Sequence, residues 1–220
     1  FSPSGGFTGI GTIPMALTAD LGTFLETVRF EHLPADAVSL ARDAFTDTIG
    51  VMMAGVGEPI TRILFDEVAT GPRPQQSRAC LSDVRITSTD AALLGGTAAH
   101  ALDYDDQALT GHPSAVLIPA ILAEGEVLGL SGKDLVTAYV AGYEVWAELV
   151  RRGFNYHSKG WHPTSVFGAV SAAAAVAVLH RLPAENAAAA LSMSATHAGG
   201  LAVNFGTMTK PLHVGRACEN

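Results

Sequence analysis

Apolar residues recur along this chain at the spacing of helix faces. Leu21, Phe24, Leu25 and Val28 stand at i, i+3, i+4 and i+7, which predicts a helix over residues 18–30. A second helix opens at Pro34 and carries Ala37, Leu40, Ala41, Ala44, Phe45 and Ile49 as far as Gly50, before Gly55 and Gly57 break the pattern. Residues 60–69 form a third, ended by Gly71-Pro72-Arg73-Pro74, which cannot continue one. Residues 75–86 are too sparsely apolar for a helix and read as a short strand or an irregular excursion. Ser88 or Thr89 then caps a helix running through Ala91, Leu94 and Ala98.

The second half repeats this grammar. A helix over residues 115–128 is followed by Ser131-Gly132-Lys133-Asp134, a capping box with Asp in place of Glu. The helix it opens places Leu135, Tyr139, Val140, Tyr143, Ala147 and Val150 on one face and ends near Arg151-Arg152-Gly153. Residues 164–179 and 183–195 make two alanine-rich helices, whose small side chains permit close packing. Pro211 begins a last segment. Every predicted element of any length is helical, so the fold class is all-α, a multi-helix domain of packed helices.

Composition narrows the picture. Of 220 residues, 48% are hydrophobic and 15% charged, enough for a substantial core. A net charge of -8 argues against nucleic acid, which requires a basic face, and no lysine-rich run suggests an anionic membrane surface. The most membrane-like stretch, residues 164–179, is shorter than the roughly 20 apolar residues that span a bilayer. Cys80 and Cys218 lie far apart with no CxxC spacing, so a reducing, cytoplasmic setting is expected. Residues 1–15 lack a basic segment and a long apolar core, and read as a flexible arm or an expression remnant rather than a secretory signal. Residues 16–220 read as one helical domain.

Candidate chemistry concentrates between two apolar helices. The stretch HALDYDDQALTGHPS, residues 100–114, carries Asp103, Asp105, Asp106, His100 and His112. Carboxylates are almost never buried without partners, so this cluster is solvated, paired or used. Recurrence favours use. Gly111-His112-Pro113-Ser114 has a counterpart in Trp161-His162-Pro163-Thr164, and Lys210-Pro211-Leu212-His213 makes a third such step. Proline suits the first helical position and pushes the preceding residue out of the α region, which predicts His112, His162 and Lys210 as caps at helix entrances. A helix entrance favours anions and keeps an imidazole neutral. Two of the three lysines, Lys159 and Lys210, lie beside these motifs and suggest local positive potential for a polycarboxylate or phosphate. His32 and His180 read as structural or surface residues, and His100 as a hydrogen-bonded core residue. The imidazoles and Asp103 are of metal-ligand type, yet no pair has HExxH spacing, so no metal is expected.

HALDYDD, GHPS, GWHPTSVFG and above all TMTKPLHVG, in this order along the chain, resemble the motifs of the MmgE/PrpD family. That family includes 2-methylcitrate dehydratase, cis-aconitate decarboxylase and iminodisuccinate epimerase, and the resemblance runs from about Ala16 to the end. It implies the large helical domain of a homodimer, a lid domain absent from this chain, and catalysis on small di- or tricarboxylates without metal or organic cofactor. It also implies active-site positions at Asp103, His112, His162 and Lys210, with Gln107, Lys159 and His213 as substrate-binding candidates. Gln107 stands where members acting on methylcitrate or cis-aconitate usually have Thr, and the loop from there to His112 is shorter by one residue. Family members are also about twice as long.

The residue types fit that implication. Removing a proton beside a carboxylate builds charge on a group already charged, so cationic and N–H groups must be waiting there. Lys210 and the helix entrances supply them; His162 or His112 takes the proton and the other donates one, while Asp103 orients an imidazole or binds a substrate hydroxyl. The expected activity is a lyase, a 2-methylcitrate dehydratase-like hydro-lyase first. A dicarboxylate epimerase and a non-catalytic helical dimerisation or ligand-binding module are the alternatives.

Overall fold

The computed structural model describes residues 16–70, 74–152 and 155–219, so the expected arm over residues 1–15 lies outside the described residues. Two helices with little amphipathic character form the centre. In α5 (Pro113–Leu128), Val116, Leu117, Ile118 and Ile121 are all fully buried although they point in different directions around the axis. In α7 (Pro163–Leu179), Ala172, Ala174, Ala175 and Leu179 are buried in the same way. A helix apolar all round belongs inside a core, and these two pack against each other.

The remaining helices surround this pair. α4 (Ser88–His100) lies on α5 and against α9 (Thr209–Cys218), α6 (Gly132–Arg151) lies on α7, and α1 (Ala16–Thr27) lies on α8 (Ala184–Ala195). α2 (Ala35–Gly55) leans on α4, with α3 (Pro59–Val68) beside it. The doubtful stretch contains both a pair of short antiparallel strands, β1 (Ser77–Arg78) and β2 (Arg85–Ile86), and irregular chain between them. The described residues are thus an all-α packed domain. Cys80 and Cys218 are both free and buried.

Contact between α4 and α9 depends on two glycines. A Cβ on Gly96 would collide with the Cys218 sulfur, and one on Gly215 with the Leu93 carbonyl and the Thr97 hydroxyl. Backbone therefore meets backbone where α9 crosses α4, which fixes the height at which α9 presents its first turn.

Three boundaries differ from expectation. α2 runs through Gly50 to Gly55, because Gly50 is exposed while Val51 and Met52 beside it are buried, and that burial outweighs a propensity cost of about 1 kcal/mol. The cap of α4 is Thr87, not Ser88 or Thr89: its side chain accepts the Asp90 N–H at 3.0 Å, and its hydroxyl donates to the Asp90 carboxylate at 2.7 Å. α1 ends at Thr27, followed by a 3-10 turn over Phe30–His32. The capping box at Ser131 forms as expected, with the Ser131 N–H donating to Asp134 Oδ2 at 3.0 Å. Among the described residues no single helix is long and apolar enough to cross a membrane.

Candidate active site

Between α4 and α5 the chain turns sharply, and that turn places the carboxylates. Asp103, Leu109 and Thr110 have φ of 57°, 48° and 68°. Asp tolerates the left-handed region because its short polar side chain bonds locally, whereas Leu and Thr adopt it at a cost. Leu109 and Thr110 form a tight turn in which Ala108 N–H donates to Gly111 O at 2.9 Å and Gly111 N–H returns to Ala108 O at 3.0 Å. The indole N–H of Trp146 anchors it by donating to Leu109 O at 3.1 Å. Asp106 closes the entrance of α5, accepting the Ser114 backbone N–H at 3.2 Å and its hydroxyl at 2.8 Å.

The two His-Pro steps form helix entrances as predicted. His112 caps α5 with φ -123° and ψ 77°, and His162 caps α7 with φ -86° and ψ 104°. They sit side by side, because the His112 backbone N–H donates to Thr164 Oγ1 at 3.3 Å. The His162 N–H donates to Gly200 O at 2.9 Å, which ties this entrance to the loop leading into α9. Lys210 is not a cap. α9 begins two residues before Pro211, at Thr209, with Met208 as its cap, so Lys210 and Pro211 both lie in the first turn. The missing N–H of Pro211 costs nothing there, because the first N–H groups of a helix have no partner anyway.

Side chains from α4, α7, α9 and the turn meet in one cluster. Lys210 Nζ donates to Asp103 Oδ1 at 2.6 Å. Nε2 of His112 and Nε2 of His100 each lie 3.7 Å from that same oxygen. On the far side of both rings, His100 Nδ1 is 2.8 Å and His112 Nδ1 3.1 Å from Asp105 Oδ2. His100 stacks on His162 with ring centroids 5.6 Å apart, and Phe205 meets the edge of His162 at 4.9 Å. His162 Nδ1 lies 3.4 Å from His213 Nδ1. Asp103 is the open side of the cluster, its side chain 56% exposed, while Lys210 is 15% and Asp105 0% exposed. Beyond His213 a cavity of about 560 Å³ extends past Ser165, His197, Gly200 and Asn204.

These surroundings push the imidazoles in opposite directions. Burial, then the positive charges of His100, His213, Lys210 and His112, press His162 down to about 3, so it is neutral at ordinary pH. Burial also opposes charge on His112, but the contact and charge of Asp105, with Asp103 beyond, overcome it and raise its pKa. The expectation that a helix entrance keeps a histidine neutral therefore fails at His112, where a buried carboxylate outweighs the entrance. Burial resists the charge on Asp105, yet His100 and His112 hold it at about 2. Asp103 is also lowered: burial acts upward, and the Lys210 hydrogen bond with the neighbouring charges acts more strongly downward.

Asp103, His112, His162 and Lys210 thus belong to one cluster, with His213 at its edge. Gln107 is exposed on the turn and Lys159 is exposed in the 3-10 turn His157–Lys159; among the described residues neither forms a hydrogen bond or ion pair with the cluster. Sequence reasoning assigned no site role to His100 or Asp105, though both stand in the stretch it singled out, and did not point to Phe205. His100 ends an apolar helix face and is indeed buried and hydrogen-bonded, but it also belongs to the cluster. Nothing in the residue pattern separated Asp105 from its two neighbours. Donor atoms of His100, Asp103, Asp105 and His112 lie within 4.8 Å of one another, a grouping close enough to share a cation and invisible to spacing along the chain. The Lys210 ammonium already provides a cation at its open corner.

Comparison with known proteins agrees with the motifs. The chain is 28% identical over 219 residues to "Cis-aconitate decarboxylase" of Homo sapiens, covering 93% of this chain and 44% of the relative. It is 29% identical over 219 residues to the protein of the same name from Mus musculus, with 93% and 44% covered. Against "Cis-aconitate decarboxylase" of Aspergillus terreus it is 24% identical over 214 residues, again with 93% and 44% covered. The chain therefore spans less than half the length of these relatives. The family model of the MmgE/PrpD N-terminal domain matches residues 19–220, and the chain belongs to the MmgE/PrpD family.

Proposed function

We propose that this chain is the helical part of a lyase that moves a proton at a carbon beside a carboxylate of a small di- or tricarboxylate. One observation carries the reading: two imidazoles of one cluster have unlike partners, His112 a buried carboxylate at 3.1 Å and His162 the rings of His100, His213 and Phe205, which drives their proton affinities apart, and this is how acid and base roles are divided. Neutral His162 takes the proton from carbon. His112, holding its proton more firmly, donates to the departing group. Lys210 meets a substrate carboxylate and offsets the charge that grows on it, Asp103 giving way or binding a substrate hydroxyl.

Elimination of water uses both imidazoles at once: the C–H electron pair forms the double bond, the C–O bond breaks, and hydroxide leaves as water with the proton from His112. This supports a dehydratase of the 2-methylcitrate type. Decarboxylation is the second reading, favoured by the names of the relatives. There the C–C bond to carboxylate breaks, carbon dioxide leaves, and His112 protonates the carbanion. Incubating the complete protein with methylcitrate, cis-aconitate and iminodisuccinate in deuterated water, followed by proton NMR, separates these outcomes. An alkene formed with loss of water supports the dehydratase, and a shortened acid carrying one deuterium supports the decarboxylase. Inversion with deuterium uptake and no bond loss would replace the lyase by an epimerase, and no change in any acid would leave the non-catalytic module.

A further inference from the structure

The sequence offered Asp103 as the carboxylate that orients an imidazole. Its geometry does not suit that task. Asp103 Oδ1 is 3.7 Å from His112 Nε2, beyond hydrogen-bond range, and is held at 2.6 Å by Lys210. The carboxylate behind the ring is Asp105, fully buried, with Oδ2 at 3.1 Å from His112 Nδ1. We infer that Asp105 is the positioning residue of His112, holding the proton on Nδ1 and thereby presenting Nε2 to the open side of the cluster, beside Asp103 and Lys210.

This inference rests on His112 being the proton donor of the proposed reaction, and four observations support it. A buried carboxylate needs partners, and those of Asp105 are two imidazoles on a single oxygen; its Oδ1 is buried without a hydrogen bond. His100, fully buried, takes the same Oδ2 at 2.8 Å, so it braces the carboxylate from the α4 side. His112 Nδ1 is itself buried without a hydrogen-bond partner, and a buried ring nitrogen needs one; Asp105 Oδ2 is the carboxylate oxygen at 3.1 Å from it. The other charged or titratable groups facing His112 are Asp103 and Asp106 on its own turn, His100 from α4, His162 from α7 and Lys210 from α9. Among the described residues it is Asp105, rather than any of these five, that lies within hydrogen-bond distance of Nδ1.

Histidine ¹⁵N NMR on the complete protein tests the assignment without needing turnover. Above its pKa, wild-type His112 is expected as the Nδ1–H tautomer, opposite to the Nε2–H form that free imidazole prefers. In Asp105→Asn its pKa is expected to fall by at least about one unit, as for loss of an opposite charge at this distance. On a substrate turned over by the wild type, kcat is expected to fall about a hundredfold with KM within about threefold, and the basic limb of the pH profile moves down with the pKa. Asp105→Glu keeps the carboxylate and is expected to recover part of both. A wild-type Nε2–H tautomer, or an unmoved His112 pKa in a folded Asp105→Asn protein, overturns the inference. Should Asp105→Asn not fold, the wild-type tautomer still decides. Should no acid react, the proposed lyase fails while the tautomer still reports on Asp105.

Discussion

At the scale of single residues, the site works through differences between like groups. Three aspartates stand within four positions, and each is committed elsewhere: Asp103 to Lys210, Asp105 to two imidazoles, Asp106 to the Ser114 entrance of α5. The histidines diverge in the same manner, which gives the proposed reaction its polarity. Replacing His162 or Lys210 with Ala in the complete protein is expected to lower turnover at least about a hundredfold, typical for a base or a charge-stabilising group. Steady-state rates on the best substrate check this, and wild-type turnover in either variant would remove that group from the mechanism. The pH profile follows from the shifts. His112 must hold its proton, and its pKa lies above the ordinary 6.5, so kcat/KM is expected to fall only on a basic limb above that value. His162 adds no acidic limb until the pH approaches about 3. A profile falling from pH 6.5 downward with an imidazole-like slope would reverse the two roles.

At the scale of elements, helix entrances and close crossings deliver these groups. His112 and His162 were legible as caps because proline dictates the geometry of the residue before it, and both occupy that place. Lys210 departs from the rule, since a proline is equally harmless within the first turn and the start of α9 was set by Thr209 and Met208. What brings Lys210 to Asp103 is the α4–α9 crossing, whose glycines carry no signal until their neighbours are known. Gly215→Ala must push α9 away from Leu93 and Thr97. Overpacking of this kind costs about 1–3 kcal/mol. A chemical denaturation series is expected to show that loss, together with weakened substrate binding, and an unchanged midpoint would mean the crossing is looser than described. The Leu109–Thr110 turn stores strain next to the site, both residues being left-handed. Thr110→Gly relieves part of it and is expected to raise stability by about 1 kcal/mol. A drop in melting temperature would show that the Thr110 side chain contributes more than its backbone costs.

Across the whole molecule, the helical architecture was readable because most helices carry one apolar face or none polar, and loops are marked by Gly and Pro. The candidate site was only half readable. Residues beside prolines announced themselves, whereas His100 and Asp105 joined the cluster through tertiary packing that no local pattern encodes. Their burial has a consequence for stability. His162 must stay neutral in the fold, so between pH 6.5 and about 3 the unfolded chain binds a proton that the folded one refuses, and stability falls with acidification. Asp105 acts similarly lower down, its contribution present above the ordinary 3.8 and lost as pH approaches about 2. His112 runs the other way, contributing fully below 6.5 and losing its contribution as pH rises through its raised value. Melting temperature is therefore expected to drop steadily from pH 6.5 to 3.5, less steeply in His162→Gln. Equal slopes in the two proteins would mean that His162 is protonated within the fold.

A crystal structure of the complete protein holding an unreactive tricarboxylate tests the central claim most directly. A carboxylate paired with Lys210, the adjacent carbon turned to His162 and the departing group to His112 Nε2 is the arrangement expected. An acid seated elsewhere on the molecule, with the Lys210–Asp103 pair undisturbed, would contradict it.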